Sequence, residues 1–391
     1  MAQPCRLIEV SGSPHERGLQ YGRQAAAEIG RSIGHYAAQV KALSLTAARL
    51  TDIVRAYVPR IESFDATYVE EMRGIAAGAS VDFELVVLVN ARTEIVQLAR
   101  NPQLFDVLQN AMEADGCTTV VVRPDAARDG QLIHAHNWDW KLECAESSVI
   151  LKIRNQDGPD ILTFTEAGAL GRFGFNALGI CITGNGLECD RDYRQIGVPL
   201  ALLRRKVLAQ TYLAPALTTV YTTQKSGSNN IAVSHAASGL VYNFECAPDE
   251  TFMVPDTGGV LVHANHWLSP VALGKIRERG IGSAPSTLYR EQRAREALAK
   301  KAGRLTVEDV TAVLLDDFQS PWSICYPPRA ANLTDSSLYA TVASLIMRPI
   351  LGEMRVAMLP ARDKRFTAYT LEMESVVGSP GGVSTPALAH G

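Results

Sequence analysis

The chain is predicted to be an α+β protein, and three features of its sequence carry that expectation. Residues before 116 show helical periodicity. Residues after it form short β-branched runs separated by turns, and helical texture returns between those runs. Hairpins segregated from helices indicate antiparallel sheets with helices packed outside them.

The elements follow in order. A strand over Arg6–Val10 ends at Gly12-Ser13-Pro14. The next stretch, HERGLQYGRQAAAEIGRSIGHYAAQVKAL, spaces apolar and small residues by three and four, the helix period. Further helices are expected at Ile61–Ala77 and Phe83–Leu98, with Glu70, Glu71 and Arg73 on a solvated face. CTTVVVRP and QLIHAHNWDW flank Arg128-Asp129-Gly130 as a hairpin, and SVILKIRN with ILTFTEA reads as a second. GFNALGICITGN is a third, turning at Asn176 to Gly179. Helices are expected at Pro199–Gln210 and Thr287–Lys300. Strands are expected at Leu240–Cys246, Gly259–Ala264, Ser337–Met347, Arg355–Leu359 and Phe366–Leu371, followed by a loose Gly/Pro/Ser-rich tail.

Composition narrows the function classes. The 391 residues are 47% hydrophobic and 20% charged with net charge -3, so a large core is feasible. Nothing in that charge balance favours nucleic acid or an anionic membrane as partner. No apolar run approaches the roughly 20 residues that span a bilayer. MAQPCRLIEV does not read as a secretory signal. Seven cysteines without a CxxC pair argue against a disulfide framework or zinc knuckle, so a reducing cytoplasm is the expected setting.

The segment DGCTT places Cys117 at the start of a strand, directly after the turn-like Asp115-Gly116. A buried cysteine opening a strand is the bland interpretation. The alternative is chemical. A thiol directly after glycine can attack the preceding carbonyl, and cleavage would then release the α-amine of Cys117. That amine, with an unperturbed pKa of about 7.7–8.0, can serve as general base for its own thiol. Asp139, in NWD at the end of the facing strand, could orient the amine. Asn265 in HANH and Asn185 in ITGN offer amide N–H groups as oxyanion donors. Each of these residues alone is equally at home in a turn.

Taken together, the segments GSPHERGLQYGRQAAAEIGRSI, EEMRGIAAGAS, VLVNARTE, DGCTT, NWDW, TEAGALGRFGFNALGI, GVP, HANH and SICYPP resemble the acyl-coenzyme A:isopenicillin N acyltransferase family of N-terminal-nucleophile (Ntn) hydrolases. Bile-salt-hydrolase-like amidases are a more distant likeness. The resemblance covers nearly the whole chain. It implies an αββα four-layer sandwich, autocatalytic cleavage between Gly116 and Cys117, and a thioester at Cys117. Residues 1–116 would form a helical α fragment and 117–391 the catalytic β fragment, paired as a heterodimer alone or within a higher oligomer. By motif match, Asp139 orients the amine, Asn265 serves the oxyanion hole, and Asn185 is a looser second asparagine. Ser337 matches a family serine, but Leu338 stands where an arginine follows it, which weighs against an acidic penicillin-like substrate. His136 likewise replaces an arginine of the bile-salt hydrolases.

The expected activity is hydrolysis of a non-peptide amide bond in a small molecule with an uncharged, partly apolar portion, since no basic cluster suggests a coenzyme A site. Trp138, Trp140, Phe173 and Phe175 are candidate pocket walls. No cofactor is expected. Acyl transfer from a coenzyme A thioester or amide to an amine is the alternative. A second alternative is a metal-dependent hydrolase built on His134, His136, His263 and His266, and a non-enzymatic binding role is the third.

Overall fold

The computed structural model describes residues 3–42, 47–95, 116–330 and 337–374. Asp115, the end of the expected Phe83–Leu98 helix and the C-terminal tail lie outside the described residues. The chain opens with β1 (Arg6–Ser11), α1 (Pro14–Gln24), α2 (Ala26–Ala42), α3 (Ala47–Phe64), α4 (Ala66–Ala79) and α5 (Phe83–Asn90). Six strands follow: β2 (Gly116–Val122), β3 (Ile133–Lys141), β4 (Ser148–Arg154), β5 (Ile161–Glu166), β6 (Phe173–Asn176) and β7 (Ile180–Gly186). Then come α6 (Leu200–Leu208), α7 (Leu213–Thr222), β8 (Asn229–His235), β9 (Leu240–Cys246), β10 (Thr251–Met253) and β11 (Val260–His263). The last elements are α8 (Ser286–Ala299), α9 (Val307–Leu314), β12 (Arg329–Ala330), β13 (Leu338–Arg348), β14 (Glu353–Met358) and β15 (Thr367–Thr370).

Two sheets stack between helices. One runs β1-β4-β5-β6-β7-β8-β9-β10, the other β11-β2-β3-β13-β14-β15 with β12 on β13. On the second sheet, Val120, Val122, Ile133 and Ala135 share a core with Ala294 and Leu298 of α8 and Val310 and Leu314 of α9. Strand alternation then turns Cys117, Thr119 and Val121 toward the other sheet. That sheet is covered by α6 on β6 and β7, α7 on β8 and β9, and α1 on β1. The result is the expected αββα sandwich. Residues before 116 are part of it, because β1 pairs in parallel with β4.

The glycines of GSPHERGLQYG and EEMRGIAAGA explain each other. Gly18 and Gly22 on α1 face Gly74 and Gly78 on α4, and a Cβ at any of the four would collide with a backbone carbonyl of the other helix. The approach buries Glu71, contrary to the solvated face expected for it. Its carboxylate lies 3.2 Å from Arg17 and 3.3 Å from Arg205, and both arginines are buried. Glu70 and Arg73 remain exposed. The expected Ile61–Ala77 helix is two helices, since Asp65 breaks it at φ -165 and caps α4 by accepting from Thr67 N. Strand β8 (NNIAVSH) is not among the expected strands. It nevertheless lies between β7 and β9, where Asn230 donates to the Phe244 carbonyl at 3.1 Å.

Candidate active site

The first hairpin sets Gly116 opposite Asp139 and Cys117 opposite Trp138. Cys117 is buried. Its backbone N–H donates to Asn265 Oδ1 at 2.8 Å, and its carbonyl accepts from Arg290 Nη1 at 2.8 Å. Arg290 Nη2 also donates to Asn265 Oδ1 at 2.9 Å. Two donors converging on one atom fix the carboxamide's orientation and aim its amide nitrogen the other way, where it donates to the Gly186 carbonyl at 3.1 Å. The second hydrogen of that nitrogen is the kind of donor an oxyanion needs. Arg290, on α8, was not singled out in the sequence. Nothing local distinguishes it from the other arginines of REQRAREA, and only helix packing brings it to Cys117.

Asp139 sits on the Gly116 side of the Gly116–Cys117 bond. The Thr341 hydroxyl donates to Asp139 Oδ1 at 2.6 Å and accepts from the Tyr326 backbone N–H at 3.0 Å. A Cβ at Gly116 would overlap the Tyr326 hydroxyl and come within 2.9 Å of both Asp139 Cβ and Asp139 Oδ2. Any larger residue at this position would require the Tyr326 or Asp139 side chain to move. Burial, followed by the nearby Asp139 charge, holds the Tyr326 phenol well above its ordinary pKa, so it stays protonated.

The other sequence candidates are placed as follows. Asn185 is occupied within the protein: its Oδ1 accepts from Thr119 at 2.7 Å and its Nδ2 donates to the His263 carbonyl at 3.2 Å. Ser337 lies just before β13, beyond the last β3–β13 pair, Tyr339–Lys141. The β13 hydroxyl that reaches Asp139 is that of Thr341. Trp140 lines a cavity of about 90 Å³ together with Asn265, Arg92, Arg172, Arg204 and Glu166. Trp138, Phe173 and Phe175 are instead fully packed in the core. Trp138 stands edge-on to Phe164 at 5.6 Å, with the Arg172 guanidinium 4.3 Å from its ring centre.

Three guanidinium groups in this cavity correct the expectation that the site has no basic cluster. They come from residues far apart in sequence, so no cationic run announces them. Glu166 pairs with Arg92 at 2.8 Å and Arg172 at 2.6 Å. Burial alone would raise its carboxyl, but the Arg92 and Arg172 charges together with the hydrogen bonds from Tyr36 and Arg92 hold it below the usual range. Glu94 in the same wall is pushed up by burial.

The histidines do not assemble a metal site. His134 and His136 do share the inner face of β3. His134 bonds Ser234 at 2.8 Å and Thr183 at 2.7 Å, while His136 bonds Thr119 at 2.9 Å. His263 bonds Glu245 at 2.8 Å and His266 bonds Thr287 at 2.9 Å. Among the described residues no three His, Cys, Asp or Glu side chains converge as ligands. Burial drives His134 down to about 3 and His266 to about 4, which keeps them neutral. No helix among the described residues is long and apolar enough to cross a membrane.

Comparison with known proteins places the chain. The family model for acyl-coenzyme A:6-aminopenicillanic acid acyl-transferase matches residues 126–353, more than half of the chain. The matched span holds Asp139, Asn185, Asn265 and Ser337 and begins after Cys117. The 40 kDa form of acyl-coenzyme A:6-aminopenicillanic-acid-acyltransferase from Emericella nidulans is 29% identical over 343 residues, covering 86% of this chain and 88% of that protein. Among solved structures, the Caenorhabditis elegans ortholog of N-acylethanolamine-hydrolyzing acid amidase is 16% identical with a TM-score of 0.43, covering 65% of this chain and 100% of that one. A variant of conjugated bile acid hydrolase from Clostridium perfringens is 12% identical with a TM-score of 0.46, covering 67% of this chain and 94% of that one. With the family match extending over more than half of its length, the chain belongs to the acyl-coenzyme A:6-aminopenicillanic acid acyl-transferase family.

Proposed function

We propose that this chain is a self-activating cysteine amidohydrolase of the Ntn type, acting on an amide C–N bond of a small molecule. The observation that carries the reading is the clamp on the Gly116–Cys117 junction. Asn265 and Arg290 hold the Cys117 backbone on one side, while Asp139 and Tyr326 pack closely against Gly116 on the other. In the first step Cys117 Sγ attacks the Gly116 carbonyl carbon. The C–N bond breaks, and the nitrogen of Cys117 keeps its hydrogen and gains the thiol proton. Water then cleaves the thioester, releasing the Gly116 carboxylate and restoring the thiol beside a new α-amine. In turnover that amine takes the thiol proton, the substrate's amine leaves with it, and water cleaves the second thioester. Asn265 stabilises the oxyanion and Asp139 orients the amine. The working protomer is then a heterodimer of residues 1–116 and 117–391. A reducing, cytoplasmic setting suits its seven cysteines, all of them in the thiol form.

Acyl transfer is the second reading. The name of the Emericella nidulans relative favours it, and Arg204 adds a guanidinium to the cavity wall beyond Arg92 and Arg172, which Glu166 already engages, for an anionic donor such as a coenzyme A thioester. Intact mass and N-terminal sequencing of purified protein test the shared mechanism. Two fragments, one beginning Cys-Thr-Thr, are expected, with Cys117→Ala remaining whole. A wild-type chain that stays uncut and inactive would sink both readings. Product analysis with an acyl-coenzyme A donor, with and without an amine acceptor, separates transfer from hydrolysis.

A further inference from the structure

The turn that carries Asn265 is tied down at both ends by a single buried carboxylate. We infer that Glu245, together with His263, is a positioning residue: it fixes the His263–Ser269 segment and so keeps the amide nitrogen of Asn265 where an oxyanion would form. This rests on the reading of Asn265 as oxyanion donor given above. Glu245 lies on β9 of one sheet and His263 ends β11 of the other, so the pair bridges the two sheets. Both are fully buried and neither lines the cavity around Asn265, so they act on the reaction only through that asparagine.

Glu245 Oε1 meets His263 Nε2 at 2.8 Å and accepts from Leu268 N at 2.6 Å, while Oε2 accepts from Ser269 N at 3.0 Å. His263 Nδ1 meets the Ala264 carbonyl at 2.8 Å, and since that oxygen can only accept, Nδ1 carries a hydrogen. One further proton must then lie between Nε2 and Oε1, where two lone pairs would otherwise face each other. The pair is therefore a net-neutral unit, the form in which such groups are tolerated in the interior. Beyond β11 the turn leaves the sheet, and side chains take its N–H groups instead. Asn265 N donates to Thr287 Oγ1 at 2.7 Å, and Trp267 N donates to Glu278 Oε2 at 3.0 Å. Without the Glu245 carboxylate, two N–H groups at one end of this turn lose their acceptor together. A shift of about 1 Å at such a donor is enough to cost about 100-fold in rate.

The test compares attack that passes through an oxyanion with attack that does not, both on the processed enzyme. Cys117 is acylated with 4-nitrophenyl acetate: Sγ attacks the carbonyl carbon, the thiol proton passes to the α-amine and 4-nitrophenolate leaves. In parallel it is alkylated with iodoacetamide, where Sγ displaces iodide at a saturated carbon and no oxyanion forms. Glu245→Gln keeps the size but turns one acceptor oxygen into an NH2 group, so the His263 ring, Leu268 N–H and Ser269 N–H cannot all be satisfied. It should slow acylation about 10- to 100-fold and change alkylation by less than about 2-fold. His263→Gln, which leaves the carboxylate on Leu268 and Ser269, should show the same selective loss to a smaller degree, and it decides the matter if Glu245→Gln does not fold. Acylation as fast as in wild type, or an equal fall in both reactions, would overturn the positioning role while leaving the mechanism standing. A wild-type chain that stays uncut, or whose Cys117 is alkylated but not acylated, would remove the reading on which that role rests.

Discussion

Thr341 donates its hydroxyl hydrogen to Asp139 Oδ1 at 2.6 Å, joining the middle of β13 to the carboxylate that faces Gly116. The same oxygen accepts from the Tyr326 N–H, so one side chain holds both Asp139 and Tyr326 beside Gly116.

Thr341→Val keeps the shape and removes both hydrogen bonds. Self-cleavage and kcat should fall about 10- to 100-fold with KM little changed, because orientation rather than binding is lost. Thr341→Ser should restore most of the rate. A valine variant as fast as wild type, in single-turnover and steady-state assays, would show that Asp139 needs no such support.

Glu71 is the carboxylate between two buried arginines. Glu71→Gln would leave Arg17 and Arg205 without it, at a cost of about 3–5 kcal/mol. Urea unfolding monitored by fluorescence reads this directly. A loss below about 1 kcal/mol would be the figure for an exposed ion pair and would contradict the burial described here.

The α1–α4 crossing predicts a contrast between glycines. Gly18→Ala drives a methyl group into the Glu71 carbonyl and should lower stability by about 1–3 kcal/mol or more. Gly30, on α2, has open space around the same position, so Gly30→Ala should be neutral or stabilising by about 0.5–1 kcal/mol. Thermal melts of the two single variants decide it.

His134 contributes an acid-sensitive term to stability. Burial lowers its pKa to about 3, whereas in the unfolded chain it titrates near about 6.5. Between those values the unfolded state binds the proton and the folded state does not. This contribution is therefore fully present above the unfolded pKa and shrinks as pH falls, by up to about 1.4 kcal/mol per pH unit. Stability of His134→Gln measured from pH 7 to pH 4.5 should fall less steeply with acid than wild type. Equal slopes would mean that His134 charges in the folded state too.

Local chemistry determined much of this protein by sequence alone. The hairpins around Arg128–Gly130 and Asn176–Gly179 follow from alternation and turn residues, both short-range rules. The pairing of Cys117 with Trp138 and of Gly116 with Asp139 follows from the first hairpin. Asn265 was legible because it closes a strand in a motif. By contrast, Arg290 and Thr341 carry no local mark, and SICYPP marks the segment of Tyr326 without giving that tyrosine a role. Arg290 reaches Cys117, Tyr326 reaches Gly116 and Thr341 reaches Asp139, each from more than 170 residues away, through the packing of α8 and the register of β13. The same holds for Arg92, Arg172 and Arg204, which one cavity gathers from three separate segments, and for Glu71, whose burial depends on four glycines letting two helices touch. Sequence periodicity reports which face of an element is apolar. Which elements meet, and which polar groups they trap between them, is decided by shape complementarity in three dimensions.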